Sequence, residues 1–238
     1  VPARIATGVV VEPDGSVRHV PTRIIEEGGI VYARMSSLTN STYAVIRNPA
    51  AFADVAGHWA EDEVNDMGAR LVIRGVGDGR FEPDQSITRA EFAAIAVRAL
   101  GLRTADQEEA PFTDVSASAW YFEAVRTAYA NGLINGFADG TFRPNDRITR
   151  EQAMTMLAKA MALTGLKAKL PASSAEATLR PYADADRVSA WAAAGVADAL
   201  QAGLVNGRGN GLLAPQDAIT RAETAAIVRR LLQQSDLI

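Results

Sequence analysis

The phrase "ITRAE" (Ile87–Glu91) returns as "ITREQ" (Ile148–Gln152) and again as "ITRAE" (Ile219–Glu223), each time directly before an apolar run. Trp59, Trp120 and Trp191 each stand 30 residues before the Arg of their phrase. Between them Val64, Val125 and Val196 fall in register, as do Gly75, Gly136 and Gly207, and then Pro83, Pro144 and Pro215. Self-similarity at fixed offsets marks a repeat architecture. We read three units, residues 51–102, 112–166 and 182–238.

Each unit has the same parts. An aromatic-led turn opens it: "FADV" at Phe52, "FTDV" at Phe112, "YADA" at Tyr182. A helical stretch follows from the Trp, and Gly132 and Gly203 suit its C-terminal end. Glycine-rich loops come next: "RGVGDGRFEP", "NGFADGTFRP" and "NGRGNGLLAP". The phrase then opens a second helix. Its apolar positions in the first unit are Phe92, Ile95, Ala96, Ala99 and Leu100, an i, i+3, i+4, i+7, i+8 stripe that predicts burial along one face. A unit of about 50 residues cannot bury such a stripe alone, so the three second helices are expected to pack as a central bundle with the Trp-led helices outside. The joints, Arg103–Pro111 and Lys167–Pro181, are polar, end in Pro and read as surface loops.

Residues 1–50 differ. β-Branched runs separated by "PDGS", "EEGG" and "LTNS" read as three or four antiparallel strands, the end of an upstream domain or a linker. With no initiator Met and no signal peptide, the chain reads as part of a longer protein. The fold expected for the whole is mainly α.

Composition narrows the function. The 238 residues are 48% hydrophobic and 22% charged, so a packed core is expected. A net charge of −4 argues against a nucleic-acid partner. The absence of cysteine excludes disulfides, thiolate metal sites and cysteine nucleophiles. No apolar run approaches the ~18 residues of a membrane span. His19 and His58 are isolated, and no nucleophile, base and orienting group share one constellation. No catalytic residue, cofactor or metal is therefore assigned. Asp78 and Asp139 sit in "GDG" and "ADG" runs, which lack the alternating acids and distal Glu of a calcium loop.

Capping explains most of the phrase. Thr88, Thr149 and Thr220 each precede Glu91, Gln152 or Glu223 by three, the spacing of a capping box. It leaves Arg89, Arg150 and Arg221 unexplained, because a cation at the first helical position opposes the helix dipole. One explanation is a structural ion pair, for example with Asp54, Asp114 or Asp184 of the aromatic turns, or with an acid in a neighbouring unit. The other is an anion site, where free N–H groups at a helix start are joined by a two-pronged guanidinium suited to a carboxylate. In that second case the Arg matters more for binding than for stability. Trp59, Trp120 and Trp191 are either packing anchors or sugar-stacking faces. Gly75, Gly79, Gly136, Gly140, Gly207 and Gly211 read as tight-turn residues with positive φ, and bare backbone there also admits a ligand.

Together the F-x-D-V opening, the Trp, the N-G-x-x-D-G-T-F-x-P loop and the I-T-R-A-E helix start, three times in tandem, resemble S-layer homology (SLH) domains. "SSLTNSTYAVI", leading into the first unit, is similar to text in bacterial surface enzymes and S-layer proteins. Departures are Gln152 for Glu, Arg74 and Arg80 for the loop Asn and Thr, and Ala185, Asn210 and Leu213 in the third unit. The resemblance implies a non-catalytic, extracellular cell-wall anchor: one pseudo-threefold helical body, acting as a monomer, with grooves between adjacent repeats. Its implied partner is the secondary cell-wall polysaccharide linked to peptidoglycan, bound through pyruvylated N-acetylmannosamine, with Arg89, Arg150 and Arg221 as the carried-over ligand residues. Trp59, Trp120, Trp191, Gly75, Gly136, Gly207, Asp78 and Asp139 would complete the grooves. The alternative is a protein-assembly module of the cell surface using the same grooves.

Overall fold

A computed structural model describes residues 6–103 and 111–238. The N-terminal segment forms five strands: β1 (Ala6–Val11), β2 (Val17–Val20), β3 (Thr22–Glu27), β4 (Ile30–Met35) and β5 (Thr42–Arg47). β1 runs antiparallel to both β2 and β5, with Val9 opposite His19 on one side and Ala44 on the other. β3 and β4 make a separate two-stranded sheet with Ile25 opposite Tyr32. Pro21 separates β2 from β3, since it has no N–H to continue a ladder. Gly28 and Gly29, at φ +59° and +78°, form the two-residue turn between β3 and β4, the geometry that matches strand twist.

Seven helices follow among the described residues: α1 (Glu61–Ala69), α2 (Arg89–Ala99), α3 (Phe122–Ala130), α4 (Arg150–Leu163), α5 (Ala175–Leu179), α6 (Ala193–Gln201) and α7 (Arg221–Gln234). The expectation of a mainly α chain is corrected by these elements. Helix accounts for 36% and strand for 16%, so the protein is mixed α/β. The physical reason is that residues 6–47 form five strands in two sheets, which take up about two thirds of that segment.

Contacts within the chain fall into two compact units that cut across the repeats. The first holds the described residues up to Gln85, with Ile95–Arg103 and Arg221–Ile238. Val9, Val10 and Val20 of its sheet are buried, as are Val64 and Met67 of α1 and Leu231 and Leu232 of α7. α1 packs on α7, and the nearly inaccessible Asp66 holds both sides of that contact. Its carboxylate pairs with Arg70 Nε at 3.0 Å and Arg229 Nε at 2.9 Å. Arg70 Nη1 continues to the Thr22 carbonyl at 3.0 Å, tying α1 to β3.

The second unit holds Ser86–Ala94 and the described residues from Pro111 to Thr220. α4 packs on α6 at Gly195, where a Cβ would stand 3.0 Å from Thr155 Cα. Met154, Leu157 and Met161 of α4 are buried, with Leu133, Phe142, Leu204 and Leu213 from the glycine loops. The Lys167–Pro181 joint is more ordered than its polarity predicts. It contains a 3-10 turn at Lys167–Lys169 and α5, which Ser174 Oγ caps by accepting from Ala177 N at 3.1 Å. The expected loop at Arg103–Pro111 lies largely outside the described residues.

Candidate functional site

The second unit brings together the isoleucines that open the three copies of the phrase. Ile87 N donates to Ile219 O, Ile219 N to Ile148 O and Ile148 N to Ile87 O, each at 3.1 Å. The result is a closed ring of three hydrogen bonds around three buried isoleucines. The next residue caps, as the sequence predicts. At α2, Glu91 N donates to Thr88 Oγ1 at 3.2 Å and Thr88 N to Glu91 Oε2 at 2.8 Å. At α4, Thr149 and Gln152 form the same reciprocal box.

The helix starts do not present free N–H groups. Arg89 N donates to Asp146 O and Ala90 N to Pro144 O; Arg150 N and Glu151 N do the same to Asp217 O and Pro215 O. In the first unit, Arg221 N and Ala222 N donate to Gln85 O and Pro83 O. Carbonyls of a repeated Pro loop therefore satisfy donors that a helix otherwise leaves open. An anion at these positions would have to be met by side chains.

The guanidinium groups follow one rule. Arg89 Nε donates to Phe142 O at 2.8 Å, Arg150 Nε to Leu213 O at 2.9 Å and Arg221 Nε to Phe81 O at 2.7 Å. Arg150 Nη2 and Arg221 Nη2 reach Asn206 O and Arg74 O of the corresponding loops. Arg89 lies between two aromatic rings, 4.7 Å from the centroids of both Phe137 and Phe142. Arg221 lies 4.5 Å from the Phe81 ring. The aspartates offered as ion-pair partners do other work. Asp54 accepts from Phe81 N and Glu82 N, Asp114 from Phe142 N and Arg143 N, and Asp184 from Leu213 N and Ala214 N. Burial raises the Asp54 and Asp184 pKa values, but the backbone donors outweigh it and hold both below the usual carboxylate range.

Arg89 opens onto a cleft of about 520 Å³ in the second unit. Its walls include the loop from Leu133 to Ala138, Gln152, Thr155 and Lys159 of α4, and Trp191. Burial lowers the Arg89 pKa to about 10, partly offset by Asp146, so the group stays charged at neutral pH. Burial also lowers that of Lys159. Gln152 Oε1 accepts from Arg89 Nη1 at 3.1 Å, leaving the other terminal nitrogen of the fork with no hydrogen-bond partner among the described residues. Trp191 is 59% exposed, a large aromatic face beside two cations. Such a cleft is suited to an anionic ring compound: charge for a carboxylate, a flat ring for an apolar face.

The other candidate residues are placed as follows. Trp59 and Trp120 are also largely exposed, at 61% and 66%, so none of the three is an interior packing anchor. Gly75, Gly136 and Gly207 do not have positive φ; close packing demands them instead. A Cβ on Gly136 would meet Phe112 Cε1 at 2.5 Å and Thr141 O at 2.7 Å, and Gly75 and Gly207 face Phe52 and Tyr182 in the same way. Gly79, Gly140 and Gly211 do take positive φ. Asp139 braces its loop, accepting from Thr141 N, Thr141 Oγ1 and Arg143 Nη2, and these bonds lower its pKa to about 2. Arg143 in turn stacks on Phe137, 4.1 Å from its centroid. Asp78 is exposed, at φ +49° beside Gly79.

Three residues escaped the sequence reading. Lys159 aligns with Arg98 and Arg230, a cation in every second helix, and that recurrence was the available signal. Gln152 was read only as a cap. Glu151 replaces the Ala of the other phrases; it is buried and accepts from Ser189 N at 2.9 Å and Ser189 Oγ at 2.8 Å, fixing the turn that carries Trp191. Among the described residues no group of three or more His, Asp or Glu is placed to hold a metal ion. No described helix is long and apolar enough to cross a membrane.

Comparison with known proteins agrees with the repeat reading. The family model of the S-layer homology domain matches residues 51–93, 111–154 and 181–225. An amylopullulanase of Thermoanaerobacterium thermosulfurigenes is 36% identical over 87% of this chain and 11% of its own length. The exoglucanase XynX of Acetivibrio thermocellus is 34% identical over 84% of the chain and 18% of its own. The surface-layer 125 kDa protein of Lysinibacillus sphaericus is 32% identical over 78% of the chain and 15% of its own. The chain thus spans less than a fifth of the length of these relatives.

Proposed function

Because the chain belongs to the S-layer homology domain family, we propose that it is a non-catalytic anchor that holds a longer polypeptide to the outside of the cell. Surface-layer and wall proteins among its relatives support a place at the cell surface. The enzymatic activities named for other relatives belong to those proteins, of which this chain matches a small part. The ligand we propose is a secondary cell-wall polysaccharide bearing a pyruvylated amino sugar.

One observation carries this reading: Arg89, Lys159 and the open face of Trp191 line the same cleft. A pyruvate ketal puts a carboxylate on a sugar ring. The Arg89 fork has an open end for that carboxylate, and its aromatic sandwich fixes it beforehand, which reduces the ordering cost of binding. Lys159 adds a second positive charge. The sugar face lies on Trp191, and Gly136 keeps the loop wall low. Repetition of the Arg at 150 and 221 would let one chain engage a polymer at several points, raising avidity without new contacts.

The test is co-sedimentation with purified wall polysaccharide before and after chemical removal of its pyruvate. Binding that disappears with the ketal supports the reading. Equal binding to both, or to neither while a surface protein is bound instead, would replace it with the protein-assembly alternative.

A further inference from the structure

The chain contains four Asn-Gly pairs, beginning at Asn131, Asn135, Asn206 and Asn210. Such a pair is chemically labile: glycine has no Cβ, so its amide nitrogen can reach the side-chain carbonyl of the asparagine before it. The fold treats the pairs differently. At the first, both reacting groups are engaged, Asn131 Nδ2 donating to Thr127 O at 2.9 Å and Gly132 N to Tyr129 O at 2.8 Å. At the second, neither the Asn135 side-chain amide nor the Gly136 N–H has a hydrogen-bond partner among the described residues, and both residues are exposed. The side chains of Asn206 and Asn210 are likewise unpaired among the described residues. What singles out Asn135 is its place. It lines the cleft onto which Arg89 opens, and no acid lies in that cleft wall among the described residues. Its loop also carries Phe137, whose ring stacks on the Arg89 guanidinium.

We propose that Asn135–Gly136 is a self-modification site, whose deamidation puts a carboxylate into the Arg89 cleft and so weakens the cleft for an anionic ligand. The Gly136 nitrogen gives its proton to solvent and attacks Cγ of Asn135. The Cγ–Nδ2 bond breaks and ammonia leaves, closing a succinimide ring. Water then opens the ring. Cleavage between Cγ and the Gly136 nitrogen leaves aspartate in a normal backbone. Cleavage between the backbone carbonyl carbon and that nitrogen leaves isoaspartate, with an extra carbon in the main chain. The balance is one water in and one ammonia out. Either product carries a carboxylate that competes for the open terminal nitrogen of the guanidinium. Isoaspartate also displaces Gly136, where the packing has no slack: a Cβ there would already stand 2.5 Å from Phe112 Cε1. The loss of ligand rests on the carboxylate clamp at Arg89; the chemistry at Asn135 does not.

Peptide mapping by mass spectrometry of the whole chain, held at mildly alkaline pH and sampled over time, tests the chemistry. Asn135 is expected to convert while Asn131 keeps its amide. No conversion at Asn135, or conversion of Asn131 just as fast, would overturn the proposal. Asn135→Asp supplies the charge of the product directly. Its carboxylate, followed by NMR titration, should ionise below the usual carboxylate range because Arg89 shares the cleft; an ordinary value would overturn the proposal without any ligand. Calorimetry with pyruvylated N-acetylmannosamine completes the test. Aged wild type and fresh Asn135→Asp should both bind about tenfold or more below fresh wild type, the scale of one charged hydrogen bond. Aged Asn135→Gln should match its own fresh sample, because the longer side chain closes a ring far more slowly, although Asn206 and Asn210 remain in it. Loss of affinity on ageing of Asn135→Gln, or none in wild type converted at Asn135, would overturn the proposal. Failure of fresh wild type to bind the sugar would instead count against the clamp at Arg89, and the mapping and titration still decide the modification.

Discussion

Arg89 Nε donates to the carbonyl of Phe142 at 2.8 Å, and the same guanidinium lies 4.7 Å from the centroid of the Phe142 ring. One side chain thus closes the end of a loop 53 residues away and still faces a cleft. An Arg at the first helical position opposes the dipole, yet here the charge is carried off the helix axis into an aromatic sandwich. Arg89→Ala is therefore expected to lower unfolding free energy by about 1.5–3 kcal/mol, the worth of a charged hydrogen bond. Denaturant titration measures it.

Gly136 should tolerate no side chain. Gly136→Ala forces a methyl against Phe112 and the Thr141 carbonyl, inside van der Waals contact, and overpacking of this kind costs about 1–3 kcal/mol. A shift of the thermal midpoint is the readout. An unchanged midpoint would mean that the loop and the Phe112 turn are not packed as described.

Trp191 should behave in the opposite way. Exposed as it is, Trp191→Ala should change stability by less than about 0.5 kcal/mol. Affinity for the wall saccharide should drop by about 0.5–1.5 kcal/mol, the scale of an aromatic contact. Paired melts and titrations separate the two effects.

His19 predicts an acid limit for the first unit. It is buried in β2, its ring nitrogens facing the backbone of Arg70 and Ala99 without hydrogen-bond geometry. Burial, then Arg70, depress its pKa to about 3. The folded state therefore excludes a proton that the unfolded chain binds below about pH 6.5. Stability is full above that pH and falls as pH drops toward 3, with a slope of at most about 1.4 kcal/mol per pH unit. His19→Leu should flatten that slope between pH 6 and 4; an unchanged slope would assign it to other groups.

The repeated phrase was legible because its elements act locally. Thr88 and Glu91 satisfy neighbouring N–H groups, so three letters suffice to announce them. Ile87 was not legible: its partners are Ile148 and Ile219, and no local pattern encodes a ring closed across 132 positions. Gly136 was assigned to a turn because glycine most often serves one, whereas its reason is Phe112, 24 residues back. α5 was hidden in a polar joint, since Ser174 resembles a loop residue until the helix formers after it are weighed. The turn signals predict three or four strands where five form, because the runs on either side of Pro21 join different sheets. Lys159 reads as an ordinary cation on a helix, because sequence does not reveal that it lines a cleft with the glycine loop.

Affinity of the Arg89 cleft for a pyruvylated N-acetylmannosamine, compared with the same sugar lacking the ketal, is the most direct measurement. It should be made by calorimetry on the wild-type chain and on Arg89→Lys, which keeps the charge but loses the fork. A carboxylate clamp at Arg89 predicts that the ketal strengthens wild-type binding about tenfold or more, and that Arg89→Lys, still folded, loses most of that gain. Equal affinity for both sugars, or a gain from the ketal that survives intact in Arg89→Lys, would contradict it.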